Sequence, residues 1–93
     1  MDRKIADRID ARNYQQEIEE YLLRKLEKCT KFEKQIQEEL VKKYGLWTTI
    51  EKAAEAIKRS RSTMYKYKDE NLVIYRQNER IISIYTRSLI LVL

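Results

Sequence analysis

The stretch TTIEKAAEAIKRSRSTMYKYK, residues 48–68, decides how the rest of the chain is read. Ile50, Ala53, Ala54 and Ile57 fall at i, i+3, i+4 and i+7, the spacing of one helix face. Thr48 and Thr49 are N-cap residue types, and Thr48 with Glu51 fits a capping box. Two alanines on the apolar face let a second helix cross closely. Lys58 and Arg59 form the turn, and Ser60 caps the next helix. On a helical wheel Thr63, Met64 and Tyr67 cluster on one side, expected to pack inward. Arg61, Ser62, Tyr65 and Lys66 cluster on the other and face out. From Ser60 to Lys68 such a helix is about 13 Å long, and a DNA major groove is about 12 Å wide. Arginine can fork onto guanine O6 and N7, while lysine, serine and tyrosine serve bases or phosphates.

Charge points the same way. The net charge is +5, with 20 Lys/Arg against 15 Asp/Glu, and it is unevenly placed. Residues 1–44 are close to neutral, and the excess lies in residues 45–93. Between Lys58 and Lys68 stand Lys58, Arg59, Arg61, Lys66 and Lys68, with no acid among them. A local basic run attracts polyanions, although such a run also occurs as a plain solvated face.

The pairing of Thr49-Ile50-Glu51-Lys52-Ala53-Ala54 with Ser60-Arg61-Ser62-Thr63-Met64-Tyr65 resembles the excisionase and MerR-type winged helix-turn-helix family. The family pattern is Thr-x-x-x-Ala-Ala, six residues, then Ser-x-x-Thr-hydrophobic-Tyr. The likeness covers Leu46 to about Leu89 and rests on the joint spacing. It implies that Arg61, Ser62, Tyr65 and Lys66 lie on a recognition helix, with Met64 and Tyr67 at its core positions. Lys58 stands where the family has its turn glycine, and Asn71 where it has a glycine before the wing. Asparagine tolerates the positive φ such a position needs.

Leu72–Arg76 and Arg80–Tyr85 are β-branched and aromatic, so they read as two strands joined at Gln77-Asn78-Glu79. In the family such a wing touches the DNA backbone or minor groove, which here implicates Arg76, Asn78 and Arg80. Leu46 and Trp47 form a short strand or a plug. Thr86-Arg87-Ser88 can cap a short helix of Leu89–Leu93, whose apolar surface calls for burial.

Asp2 to Tyr44 contains no Gly or Pro and is rich in helix formers. Unbroken, it would be a helix of roughly 65 Å, closed by Gly45 as a C-terminal cap. Asn13 with Gln16, and Thr30 with Glu33, each fit a capping box, so two helices are the alternative. Ile18, Leu22, Leu26, Cys29 and Phe32 mark an apolar stripe expected to pair with a second copy. Phe32, Ile36, Leu40 and Tyr44 fit packing against the C-terminal half.

Other functions find little footing. The chain has no histidine, one cysteine (Cys29) and one glycine (Gly45). A histidine base, a zinc site and a glycine-rich phosphate loop are therefore not expected. No catalytic residue, metal, cofactor or small-molecule substrate is assigned. The N-terminal MDRKIADRID lacks a signal-peptide core, and the longest apolar run, Leu89–Leu93, is far shorter than a membrane span. A single cysteine suits a reducing, cytoplasmic setting, here associated with the nucleoid.

The expected fold is mainly α with a small β-hairpin. Residues 1–44 form a long, coiled-coil-like dimerisation helix, and residues 45–93 a winged helix-turn-helix. The expected function is sequence-specific binding of double-stranded DNA by a homodimer of the excisionase or transcription-regulator type. The DNA-contacting set is Lys58, Arg59, Ser60, Arg61, Ser62, Tyr65, Lys66, Lys68, Arg76, Asn78 and Arg80. The alternative is a DNA-anchored adaptor or segregation scaffold whose N-terminal helix takes a protein partner or drives assembly.

Overall fold

The computed structural model describes residues 3–93, with side chains from Tyr14 onward. It is mainly helical, with a small antiparallel sheet. In chain order the elements are α1 (Arg3–Glu27), α2 (Lys31–Tyr44), β1 (Trp47–Thr48), α3 (Ile50–Ile57), α4 (Arg61–Asp69), β2 (Tyr75–Asn78) and β3 (Ile81–Tyr85). A 3-10 helix, Thr86–Val92, ends the chain.

The first forty-four residues do not form one helix. The break falls at Lys28–Thr30, between α1 and α2. Its cause is the Thr30/Glu33 capping box. The Glu33 amide donates to Thr30 Oγ1 at 3.1 Å, and the Thr30 amide donates to Glu33 Oε1 at 2.9 Å. Local side-chain hydrogen bonds thus outcompete a continuous helical ladder here. The other capping pattern begins at Asn13, whose side chain lies outside the described residues, and α1 runs through that position. Gly45 ends α2 with φ +86, and its amide bonds to the Val41 carbonyl. A non-glycine residue there would be strained.

The break lets the N-terminal stripe fold back. Leu22 and Leu26 are buried with Ile74, and Ile18, Cys29, Trp47, Tyr85, Ile90 and Leu91 pack around them. The stripe expected to seek a second copy is therefore covered within the chain at Ile18, Leu22, Leu26 and Cys29. Phe32 alone of that set stays open, 70% exposed. It also fails to join Leu40 in packing on the C-terminal half. Covering Leu22 or Leu26 in this way is worth roughly 1.5–3 kcal/mol per side chain.

The sheet has strand order β1-β3-β2, all antiparallel. Its pairs are Trp47 with Tyr85, Thr48 with Ile84, and Tyr75 with Ile84 through Asn78 with Ile81. Alternation splits it into two faces. Tyr75, Ile82 and Ile84 join a core of Ile50, Ala53, Ala54, Ile57, Met64, Val73 and Leu89 beneath α3 and α4. Trp47 and Tyr85 face the α1 side, their rings 5.1 Å apart.

The hairpin is shorter than its composition predicts. Leu72–Ile74 is not strand, because this segment is tied to the chain's end. The Ile74 amide donates to the buried Ser88 Oγ at 3.0 Å, and Val73 and Ile74 enter the two cores. The turn is also displaced by one to two residues, to Glu79-Arg80, since Asn78 pairs with Ile81. Glu79 takes φ +55 there. The α3 cap likewise shifts by one residue: Thr49, not Thr48, accepts from the Lys52 amide. Thr48 is instead consumed as a strand residue opposite Ile84.

Two measurements check these local features. Lys58 adopts φ 57 and ψ 44, the left-handed conformation that costs a residue with a Cβ roughly 1 kcal/mol. Lys58→Gly relieves that strain but adds unfolded-state entropy. The net expected gain is roughly 0.5 kcal/mol, a rise in Tm of a few degrees by calorimetry. The second concerns Glu33, whose carboxyl pKa is held below its ordinary value chiefly by the Thr30 backbone amide, and next by the Thr30 side chain. A depressed pKa adds stability above the unfolded-state pKa, and that stability is lost as pH falls through the folded-state value. The Tm of the wild type is expected to drop more steeply with acidification than that of Glu33→Gln.

Candidate nucleic-acid interface

α4 and its approach present three exposed cations, Arg59, Arg61 and Lys66. Ser60 caps α4: its Oγ accepts from the Thr63 amide at 3.1 Å and shares a hydrogen bond with Thr63 Oγ1 at 3.0 Å. Ser60 is thereby occupied in holding the helix start, although it stays exposed. The helix is anchored by Met64, which is fully buried, with Thr63 and Tyr67 half-buried beside it. Arg61, Ser62, Tyr65 and Lys66 project to solvent, as the wheel predicts, and Arg59 is exposed just ahead of them. α3 packs on α4 through its alanine-bearing face, where Ala53 and Ala54 are buried.

The surface is not free of acid. Arg61 pairs with Glu51 at 3.3 Å, and Lys66 approaches Glu70 at 4.0 Å. All four side chains are at least half exposed, so these pairs contribute little and exchange readily for another anion. Glu51 tethers the Arg61 guanidinium across from α3. Sequence spacing does not signal that pair, because the two residues lie on different helices.

Five of the eleven candidate residues sit apart from this set. Lys68 is only 11% exposed. Its Nζ lies 5.0 Å from the centre of the Tyr75 ring and 3.0 Å from an Asp69 oxygen. It links the end of α4 to β2. Arg76 leans over Trp47, its guanidinium 4.9 Å from the ring centre, and bonds to Glu19 of α1 at 3.3 Å. Alternation along β2 turns Arg76 to the α1 side of the sheet, opposite Tyr75. Lys58 borders a groove between α2 and α3 together with Glu55 and Ala56. The remaining hairpin candidates, Asn78 and Arg80, are exposed at the turn.

Elsewhere the described residues offer little chemistry. No group of three or more His, Cys, Asp or Glu is placed to hold a metal ion. No described helix is long and apolar enough to cross a membrane. Cys29 is a free thiol, half-buried beside Leu26. Comparison with models of known protein families, with curated proteins and with solved structures finds no match.

The packing role of Arg76 has a spectroscopic consequence, since Trp47 is the single tryptophan. Arg76→Ala removes a cation–π contact worth roughly 0.5–1 kcal/mol at an exposed site. It should lower Tm by a few degrees and shift Trp47 emission to longer wavelength. An unchanged emission spectrum would show that the guanidinium does not cover the ring.

Proposed function

We propose that this chain is a sequence-specific double-stranded DNA-binding protein of the excisionase or transcription-regulator type. In this reading α3 and α4 are a helix-turn-helix, the β2–β3 hairpin is its wing, and α4 is the recognition helix. The observation that carries it is the two-sided build of α4. Met64 is buried and fixes the helix, while Arg61, Ser62, Tyr65 and Lys66 present donors from the opposite side.

Several details support the reading. α4 spans nine residues, about 13 Å, a length that enters a major groove. Arg61 supplies a fork suited to guanine O6 and N7, and Lys66 and Arg59 suit phosphates. The left-handed conformation of Lys58 occupies the position where the resembled family carries its turn glycine. Asn71 likewise takes φ 58 at the second such position. Asn78 and Arg80 at the hairpin tip extend the contact surface toward the backbone. Lys68 and Arg76 act in this scheme by positioning: one fixes β2 against α4, the other holds the sheet to α1.

The test is fluorescence anisotropy with duplexes selected from random sequence. Arg61→Ala should weaken the selected site by about 5- to 150-fold and relax base preference at one position, as loss of a bidentate base contact does. Lys66→Ala should weaken all duplexes alike and reduce the salt slope by about 1. Both variants should melt as the wild type does. A wild type that selects no sequence, or an Arg61→Ala variant with unaltered affinity, removes α4 as the recognition element.

A further inference from the structure

One buried amide is left without its bond. Gln37, in the middle of α2, is 3% exposed, and its Nε2 is fully buried with no hydrogen-bond partner. An unmet donor of this kind is unfavourable, and buried side-chain amides are nearly always paired. The proposed DNA contacts give this residue no task. Gln37 stands in the wall of a groove of about 370 Å³, bordered by α1, α2, β3 and the 3-10 helix. That volume falls in the lower part of the range for small-molecule sites. None of the lining comes from α3 or α4.

The lining specifies the occupant. Leu23, Leu26 and the Tyr85 ring supply apolar walls, which suit an aromatic or branched aliphatic body. The charges around them cancel. Arg87 and Glu38 neutralise each other at 2.6 Å, and the exposed Lys34 and Glu27 add one charge of each sign. An ion entering the groove therefore meets no surplus of opposite charge. The open bond belongs to a neutral group instead. In a glutamine amide Nε2 donates and Oε1 accepts in one plane. The matching ligand edge is a carbonyl oxygen beside an N–H, which is another amide. The last torsion of glutamine is broad, and rotation about it turns Nε2 from the wall toward the groove at little cost.

We propose that this groove binds a small neutral molecule carrying a carboxamide on an aromatic or branched aliphatic body. The ligand carbonyl accepts from Gln37 Nε2, and its N–H donates to Gln37 Oε1. The body lies against Leu23, Leu26 and Tyr85. The site takes no residue from α4, and it stands whether or not the protein binds DNA.

The experiment is a titration of the full chain with benzamide, followed by heteronuclear NMR. The side-chain amide signal of Gln37 should shift and saturate, while that of the exposed Gln77 on β2 stays in place. Benzoate keeps the ring but adds charge, and toluene keeps the ring but lacks the amide. Each should bind roughly tenfold or more weakly, because the Gln37 amide is then left unmatched. Gln37→Leu, read at the Leu26 methyl signals, should weaken benzamide about tenfold and bring toluene level with it. General loosening of the fold would not reverse that preference. Leu23→Trp fills the groove from a position 38% exposed, and it should abolish benzamide binding with an unchanged melting curve. Benzamide that gives no saturable shift overturns the proposal. So does benzoate or toluene binding as tightly as benzamide, or either variant, once folded, keeping wild-type affinity for benzamide.

Discussion

The fold depends on how its last eight residues are tied down. Ser88 is fully buried, and its hydroxyl is used twice. It accepts from the Ile74 amide at 3.0 Å and donates to the Tyr85 carbonyl at 2.7 Å. Thr86, also fully buried, donates to the Gly45 carbonyl, and its amide bonds to the Leu46 carbonyl. A buried hydroxyl without partners would be costly, so these bonds admit one placement of the 3-10 helix. That placement sets Leu89 in the α3–α4 core and Ile90 and Leu91 against Leu22 and Leu26. One short segment thereby joins both hydrophobic clusters. α2 is clamped to it as well, through Arg87 and Glu38 at 2.6 Å.

With this clamp in place, the sheet becomes a partition. Its α3–α4 face buries Ile84, while its other face receives α1 over Trp47 and Tyr85. The basic side chains are sorted by the same geometry. Arg76 and Lys68 lie against aromatic rings and act as packing groups with charged tips. Arg59, Arg61 and Lys66 stay in solvent, Arg61 beside the Glu51 carboxylate and Lys66 near that of Glu70. A count of cations along residues 58–80 treats all of these alike, and only their surroundings separate them.

Of the candidate interface, the local parts were legible in the residues themselves. Ser60 as a cap, Met64 and Tyr67 as the inner side of α4, and Arg61, Ser62, Tyr65 and Lys66 as its outer side follow from helical periodicity. The Thr30/Glu33 box was legible as a possible break. Illegible were the partners from distant segments: Glu51 for Arg61, Glu19 for Arg76 and Tyr75 for Lys68. Gln37, buried to 3% on a polar stretch of α2, gave no signal either. Each of these depends on which segment the chain folds against, and no spacing rule encodes that.

The sequence by itself determined α3 and α4 as helices, the Thr30/Glu33 and Ser60 caps and the strand-forming character of the C-terminal half. These are matters of hydrogen bonding and periodicity within about four residues. Tertiary structure decided where the hairpin begins, because the Ser88 hydroxyl takes the Ile74 amide out of the ladder. It also decided the use of the N-terminal stripe. A helix pattern specifies that Leu22 and Leu26 must be covered but not by what, and here the cover is the chain's own Ile74, Ile90 and Leu91. Burial needs only an apolar surface at the right distance, and the break at Thr30 brought one within reach.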